Sequence, residues 1–241
     1  MKLQSLGSSS KGNCYVLTTD ENSVLVIECG VPFMEVKKAI GFDIAKIQGV
    51  LLTHSHGDHN KYVSEYLKAG IKVYAHPDTI KETRVISHNW KPLSTESTMP
   101  LAGFQIMPFL LKHDVTCLGF LFRYKDGNTF PFITDTHYCP FVFPGMTNII
   151  VECNYSLDII SKRSIPKVVH DRVLRSHMSL DTVIGFLKAN DLRSVNNIVL
   201  IHLSDGNSHA ENFKKEIEQL TGKTVHIADK GTQIEFNKHQ F

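Results

Sequence analysis

Leu51-Leu52-Thr53-His54-Ser55-His56-Gly57-Asp58-His59 decides how the rest of the chain is read. An apolar, β-type run ends at Thr53, and a helical pattern begins near Asn60. Three histidines and an aspartate are thereby confined to a tight loop after a strand, where side chains converge instead of alternating across a sheet. Imidazole and carboxylate are ligands that zinc accepts, and three histidines around one ion leave a position open for water. The chain has 13 histidines. At that composition an HxHxDH string arises by chance about two times in a thousand. A solvated polar loop is the plain alternative, and the density of donors argues against it.

Short β-rich runs recur between turn signals on both sides of this motif. Tyr15–Thr18 and Val24–Ile27 read as a hairpin across Asp20-Glu21-Asn22. Val50–Thr53, Ile71–Tyr74, Phe104–Met107, Gly119–Phe122 and Phe130–Thr134 follow as strands. Asn148–Val151, Ile198–Ile201, Val225–Ile227 and Thr232–Phe236 continue the series. Helical spacing marks Val36–Ile40, Asn60–Ala69, Leu180–Leu187 behind the cap Ser179, and Asn212–Leu220. Neither a repeat nor a break in composition divides the chain. The expectation is one domain over residues 1–241, an α/β sandwich with helices outside two packed sheets.

Composition narrows the function classes. With 42% hydrophobic and 21% charged residues, a disordered or fibrous chain is excluded. The N-terminal stretch has no apolar run of signal-peptide length, and nowhere do about 20 apolar residues follow one another, which argues against secretion and membrane insertion. Cys14, Cys29, Cys117, Cys139 and Cys153 are odd in number and lack a CxxC pair. They read as reduced thiols of a cytoplasmic protein. The net charge of +2 neither demands nor excludes a nucleic-acid partner.

Three further donors follow apolar runs: His113 after Phe109-Leu110-Leu111, Asp135 after Phe130–Thr134, and His202 after Ile198–Ile201. Any one alone is more often a core or surface residue. In this order after HxHxDH, they resemble the metallo-β-lactamase fold superfamily. The resemblance implies a four-layer αββα sandwich of two mixed sheets. It also implies that His54, His56 and His113 hold one metal ion, that Asp58, His59 and His202 hold another, and that Asp135 bridges them. Two divalent ions, zinc or else manganese, about 3.5–4 Å apart can share a hydroxide and clamp both oxygens of a displacement. The family's di-iron flavoproteins carry an acid at the position of His56, so an all-imidazole first site favours zinc hydrolysis.

Further segments narrow the resemblance. Ser5–Asn13, Glu28-Cys29-Gly30, Glu152–Tyr155, Ser176–Leu180 and Ile201–Asp205 are similar to the YycJ/WalJ-type branch, small cytosolic proteins related to DNA and RNA phosphodiesterases. His177, ahead of Met178-Ser179, resembles the His-Ser-Thr loop of tRNase Z-type enzymes, which implies a proton donor or phosphate ligand. Asp58 and His177 are accordingly the expected catalytic residues. Ser8, Ser9, Ser10 and Asn13 fall in what reads as a flexible loop, whose N–H groups and hydroxyls can bind a phosphate. Ser161–Arg175 holds Lys162, Arg163, Lys167, Arg172 and Arg175 against the single acid Asp171, so Arg172 and Arg175 can guide a polyanion. A solvated face is the alternative. Trp90 and Tyr155 are rings able to stack on a base.

Some features depart from the relatives. Glu28 stands where they usually carry an aspartate that supports a metal ligand. The stretch from Asp135 to His202 is too short for the extra domain of RNase J and Artemis, and no Gly/Pro-rich arm like that of tRNase Z is present. The reading that results is a dinuclear metal-dependent phosphodiesterase or nuclease acting on nucleic acid or a nucleotide. A hydrolase of esters, lactones or thioesters fits the same metal site, and Glu28 leaves room for a binding protein that catalyses nothing.

Overall fold

The computed structural model describes residues 1–236, so the last five residues of the expected 1–241 domain lie outside the described residues. The first half runs β1 (Lys2–Ser9), β2 (Gly12–Thr18), β3 (Val24–Ile27), α1 (Phe33–Ala39), β4 (Ile47–Leu51), α2 (Gly57–Asn60), α3 (Val63–Lys68), β5 (Val73–Ala75), α4 (Pro77–Thr83) and β6 (Trp90–Pro92). Next come β7 (Met99–Leu101), β8 (Phe104–Leu111), β9 (Cys117–Tyr124), β10 (Thr129–Ile133), β11 (Asn148–Glu152), α5 (Leu157–Ile160), α6 (Lys167–Ser176) and α7 (Leu180–Ala189). The described chain closes with β12 (Asn197–Ile201), α8 (Ala210–Thr221), β13 (Thr224–Ile227) and β14 (Gln233–Glu235).

These strands form two seven-stranded mixed sheets, ordered β14-β1-β2-β3-β4-β5-β6 and β13-β12-β11-β10-β9-β8-β7. In each sheet, hairpins build an antiparallel half and crossover helices build a parallel half. Leu17, Leu25, Ile27 and Leu51 of the first sheet meet Phe104, Phe120, Phe122, Phe132 and Ile201 of the second in a shared interior. Burying each such phenylalanine contributes about 1.5–3 kcal/mol. The outer faces bury Val26, Val50 and Leu52 under Phe33, Val36, Val63 and Tyr66, and Ile149, Val151 and Leu200 under Val183, Leu187, Phe213 and Ile217. Helix, sheet, sheet and helix thus stack as the expected four layers.

The local expectations need three corrections. The Ser5–Asn13 run is not a loop: it is the β1–β2 hairpin, irregular between Ser5 and Gly7, with its turn at Ser10-Lys11. Its polar side chains hid a strand that pairs on both edges. The helix expected over Asn60–Ala69 is split, because Tyr62 leaves the helical backbone between α2 and α3. α2 begins inside the motif itself, so Asp58 and His59 lie on a helical turn, not in a loop. Gly30 permits this packing, since a Cβ there would meet the Asp58 carbonyl oxygen at 1.8 Å. The five cysteines form no disulfide, and four of them are buried.

Candidate metal centre

β3 and β4 run parallel, as do β8, β10, β11 and β12, so their C-terminal ends gather at one edge of the sandwich. Glu28, Thr53-His54, His113, Asp135, Glu152 and His202 lie at those ends or within three residues of them. Among the described residues, seven that are not glycine adopt positive φ, and three of these are Glu28 (70°), Asp135 (45°) and His202 (53°). A left-handed backbone at such residues costs about 1–3 kcal/mol each, a cost that clusters at functional sites. The turn it makes swings each side chain off the sheet and into the shared edge.

Two donor groups converge there. His54, His56, His113 and Asp135 place one donor atom each within 4.8 Å of one another, and Asp58, His59, Asp135 and His202 do the same. All seven expected ligands are therefore brought together, with Asp135 common to both groups. In the first group, His56 Nδ1 faces His113 Nε2 at 3.2 Å, and His54 Nε2 lies 3.6 Å from Asp135 Oδ2. In the second, Asp58 Oδ2 lies 3.2 Å from His59 Nε2 and 3.3 Å from His202 Nε2. His54 Nε2 and His202 Nε2 are buried with no hydrogen-bond partner among the described residues. Orphaned nitrogens aimed at a carboxylate-lined centre suit a divalent cation, so the donor set fits a bound metal.

The far nitrogens of four rings face polar partners. His54 Nδ1 donates to Thr53 Oγ1 at 2.9 Å, and that hydroxyl donates to Glu28 Oε1 at 2.5 Å. His113 Nδ1 donates to the Ser176 carbonyl at 2.9 Å. His59 Nδ1 lies 3.3 Å from Glu28 Oε1, and His202 Nδ1 lies 3.0 Å from Glu152 Oε1. Glu28 is fully buried, reaches His54 through Thr53 and sets its carboxylate beside His59, so the longer acid still lies behind two of the three motif histidines. Asp114 Oδ1 stands 3.4 Å from His56 Nε2 and 3.1 Å from His113 Nε2.

Protonation divides the two groups. Burial pushes His54 well below its ordinary pKa, and burial also lowers His113. Burial opposes charge on His59 and His202 as well, but the Asp135 carboxylate and its neighbours outweigh it and raise both well above the ordinary value. Asp58 and Asp135 would be raised by burial, yet His202 and His59 hold both carboxyls below the usual range.

A third cluster joins Asp135 and His202 to Glu152 and His177. His177 Nδ1 lies 2.5 Å from Glu152 Oε1, and the other Glu152 oxygen accepts from the Thr136 and Met178 amides at 3.1 and 3.2 Å. Burial would lower His177, but the Glu152 carboxylate raises it, and His177 in turn keeps buried Glu152 below its ordinary value. The His177 ring sits 5.7 Å from that of His113 and 5.3 Å from that of His202, beside both donor groups. Sequence reasoning found His177 but gave no role to Glu152, Thr53 or Asp114. For Glu152 the available signal was an acid closing an otherwise apolar strand.

The remaining candidates are placed differently from one another. Ser8 Oγ accepts from the His202 amide at 2.8 Å, and Asn13 Nδ2 donates to Asp58 Oδ2 at 3.1 Å, so both touch ligand residues. Ser9 accepts from the Lys11 amide, and exposed Ser10 sits at the hairpin turn. Arg172 and Arg175 are exposed on α6 and contact none of the clustered residues, although Ser176 next to Arg175 carries the carbonyl that holds His113. Trp90 and Tyr155 are buried and present no ring to a base.

The fold and these converging imidazoles and carboxylates define a metal-dependent hydrolase, and the chain belongs to the metallo-β-lactamase superfamily, whose pattern matches residues 9–135. Over 260 aligned positions it is 25% identical to Exodeoxyribonuclease WalJ of Streptococcus pneumoniae, covering 98% of this chain and 92% of that protein. It is 24% identical to Exodeoxyribonuclease YycJ of Bacillus anthracis, covering 89% and 87%. Among solved structures, the metallo-β-lactamase fold protein YhfI from Bacillus subtilis superimposes with a TM-score of 0.75 at 18% identity, over 97% and 98% of the two chains. The short form of human tRNase Z gives 0.66 at 17% identity, over 98% and 100%. Among the described residues, no helix is long and apolar enough to cross a membrane.

Proposed function

We propose that this chain is a dinuclear phosphodiesterase that cleaves nucleic-acid strands in the cytoplasm. The observation that carries the proposal is Asp135 shared between two donor groups, with the His177–Glu152 pair beside both. His54, His56 and His113 would hold one ion and Asp58, His59 and His202 the other, with Asp135 available to both. Zinc suits this mixture of imidazole and carboxylate, and manganese is the other divalent candidate. Bound ions supply a water ionised near neutral pH and positive charge at the reacting phosphate.

The chain's own groups do the rest. Asp58, ionised and steadied by Asn13, accepts a hydrogen bond from the attacking water and fixes its direction. Glu152 holds Nδ1 and raises the His177 pKa, which favours the protonated ring and leaves Nε2 to donate to the departing alkoxide. A phosphodiester needs that proton because an alkoxide leaves poorly on its own. Ser8 and Asn13 position His202 and Asp58, while Ser9, Ser10, Arg172 and Arg175 line the approach of the strand. Two relatives named as exodeoxyribonucleases support DNA as the polymer, and the unpaired thiols support a reducing compartment.

Elemental analysis should find two ions per chain. The loaded protein should cleave labelled single- or double-stranded oligonucleotides and bis(p-nitrophenyl) phosphate, and a chelator should stop it. His177→Ala should slow oligonucleotide cleavage by about 10²–10⁴. Absence of metal-dependent turnover on every one of these phosphodiesters would overturn the assignment. An unimpaired His177→Ala enzyme would move the substrate toward an ester or thioester.

A further inference from the structure

The two rings that sequence reasoning offered for base stacking are buried, which raises the question of which aromatic side chains are open to a strand. Among the described residues, the large aromatic side chains most open to solvent are Phe42, Tyr138 and Phe141, exposed by 62%, 42% and 41%. Phe42 lies beyond the C-terminus of α1, whereas Tyr138 and Phe141 occupy the segment that leaves Asp135. Tyr138 is three residues from Asp135, hence within about 11 Å of it along the chain.

The segment is pinned to the centre. Lys112 N donates to Thr136 Oγ1 at 3.0 Å, His137 N donates to the Lys112 carbonyl at 2.9 Å, and Thr136 Oγ1 lies 2.9 Å from the Tyr138 carbonyl oxygen. Phe141 is propped from beneath by Phe109, with ring centroids 5.3 Å apart, and borders an apolar hollow of about 370 Å³ shared with Met107 and Phe143. Lys112, which anchors the rings, adjoins His113, which in turn is held by Ser176 at the end of basic α6. Exposed rings and exposed arginines are therefore tethered to the same pair of residues, Lys112 and His113. That combination matches a single strand, whose bases stack and whose phosphates seek cations.

We propose that Tyr138 and Phe141 form a stacking platform for unpaired bases next to the scissile phosphate, an inference that rests on the phosphodiesterase reading. Bases gain from such rings whatever their identity, so the platform selects single-stranded or frayed ends over intact duplex and carries little sequence preference.

The test compares an oligothymidylate with a strand of equal length in which the residues flanking the scissile bond are abasic. Wild-type kcat/KM should favour the strand with bases by about 5- to 100-fold for each stacked base. Tyr138→Ala and Phe141→Ala should each move that ratio toward one, mainly through KM, and Tyr138→Phe should keep it. Tyr138→Trp adds an exposed indole to the single buried Trp90, and its emission should be quenched by the oligothymidylate but not by the abasic strand. An unchanged ratio in both alanine variants, or unquenched emission, would overturn the platform. So would a shift from dimer to monomer in Phe141→Ala with the ratio intact, since the patch would then join two copies of the chain. Quenching without turnover in any variant would overturn the phosphodiesterase reading and leave the platform standing.

Discussion

His54 and His113 rest on a hydroxyl and a backbone carbonyl, whereas His59 and His202 rest on the buried carboxylates of Glu28 and Glu152. The two donor groups share Asp135 and the same strand-end edge, yet they hold protons oppositely. Burial leaves His54 and His113 neutral, while the carboxylates around His59 and His202 keep those rings charged. The contrast shows how one fold edge makes two donor groups that would receive a cation differently. The first would offer an ion lone pairs that are already free, and the second would have to exchange protons for one.

Removing the common member tests whether these are two sites at all. Asp135→Ala should abolish tight binding of both ions and lower phosphodiester turnover by at least about 10³, because both positive charges act on the reacting phosphate. Metal content of the variant after gel filtration checks this, and retention of two ions would separate the groups entirely.

Proton competition is the next largest expected effect. Because the pKa values of His59 and His202 are raised, both rings are protonated at neutral pH, and two protons must leave before the second ion binds. Affinity there should rise with pH by up to about 100-fold per unit below those pKa values, tenfold for each proton released. The first ion should show a shallower slope. Competition with a chelating dye at several pH values reads both, and equal slopes would remove the distinction. Glu152→Gln should then cost about 10–100-fold in turnover. It takes charge away from His177, so the His177 pKa should fall and the basic limb of the pH–rate profile should move to lower pH. A limb that stays in place would mean another group donates the proton.

Much of this centre was legible because four of its donors are contiguous. HxHxDH announces itself, and His113, Asp135 and His202 each close an apolar run that reads as a strand. Which strands share an edge could not be read from local pattern, since β8 and β10 are neighbours of an intervening antiparallel strand and β12 follows β11 only after three helices. The supporting acids were obscured for a related reason. Glu28 looked like a departure and Glu152 like the end of a buried strand, and their roles exist only once left-handed turns and parallel strands bring them to His59 and His177. Polar Lys2–Ser9 hid β1, and the charged surface of Lys167–Ser176 hid α6, because neither shows the apolar period that marks a strand or helix.

The smallest effects distinguish the two groups most finely, because Glu28 serves both. Its carboxylate reaches His59 directly and reaches His54 through Thr53 Oγ1. Glu28→Gln keeps the shape but removes the carboxylate that orients His59 and, through Thr53, His54. Where the loss of orientation outweighs the eased deprotonation of His59, both ions should weaken, the second by about tenfold. Thr53→Val cuts only the branch to His54, in a position where a methyl replaces a buried hydroxyl. It should weaken the first ion by a similar or smaller factor and leave the second unchanged. The two variants, titrated separately with zinc, therefore assign each branch to its site. Loss of the second ion in Thr53→Val would show that the hydroxyl steers Glu28 itself, and the two groups would then have to be treated as one network.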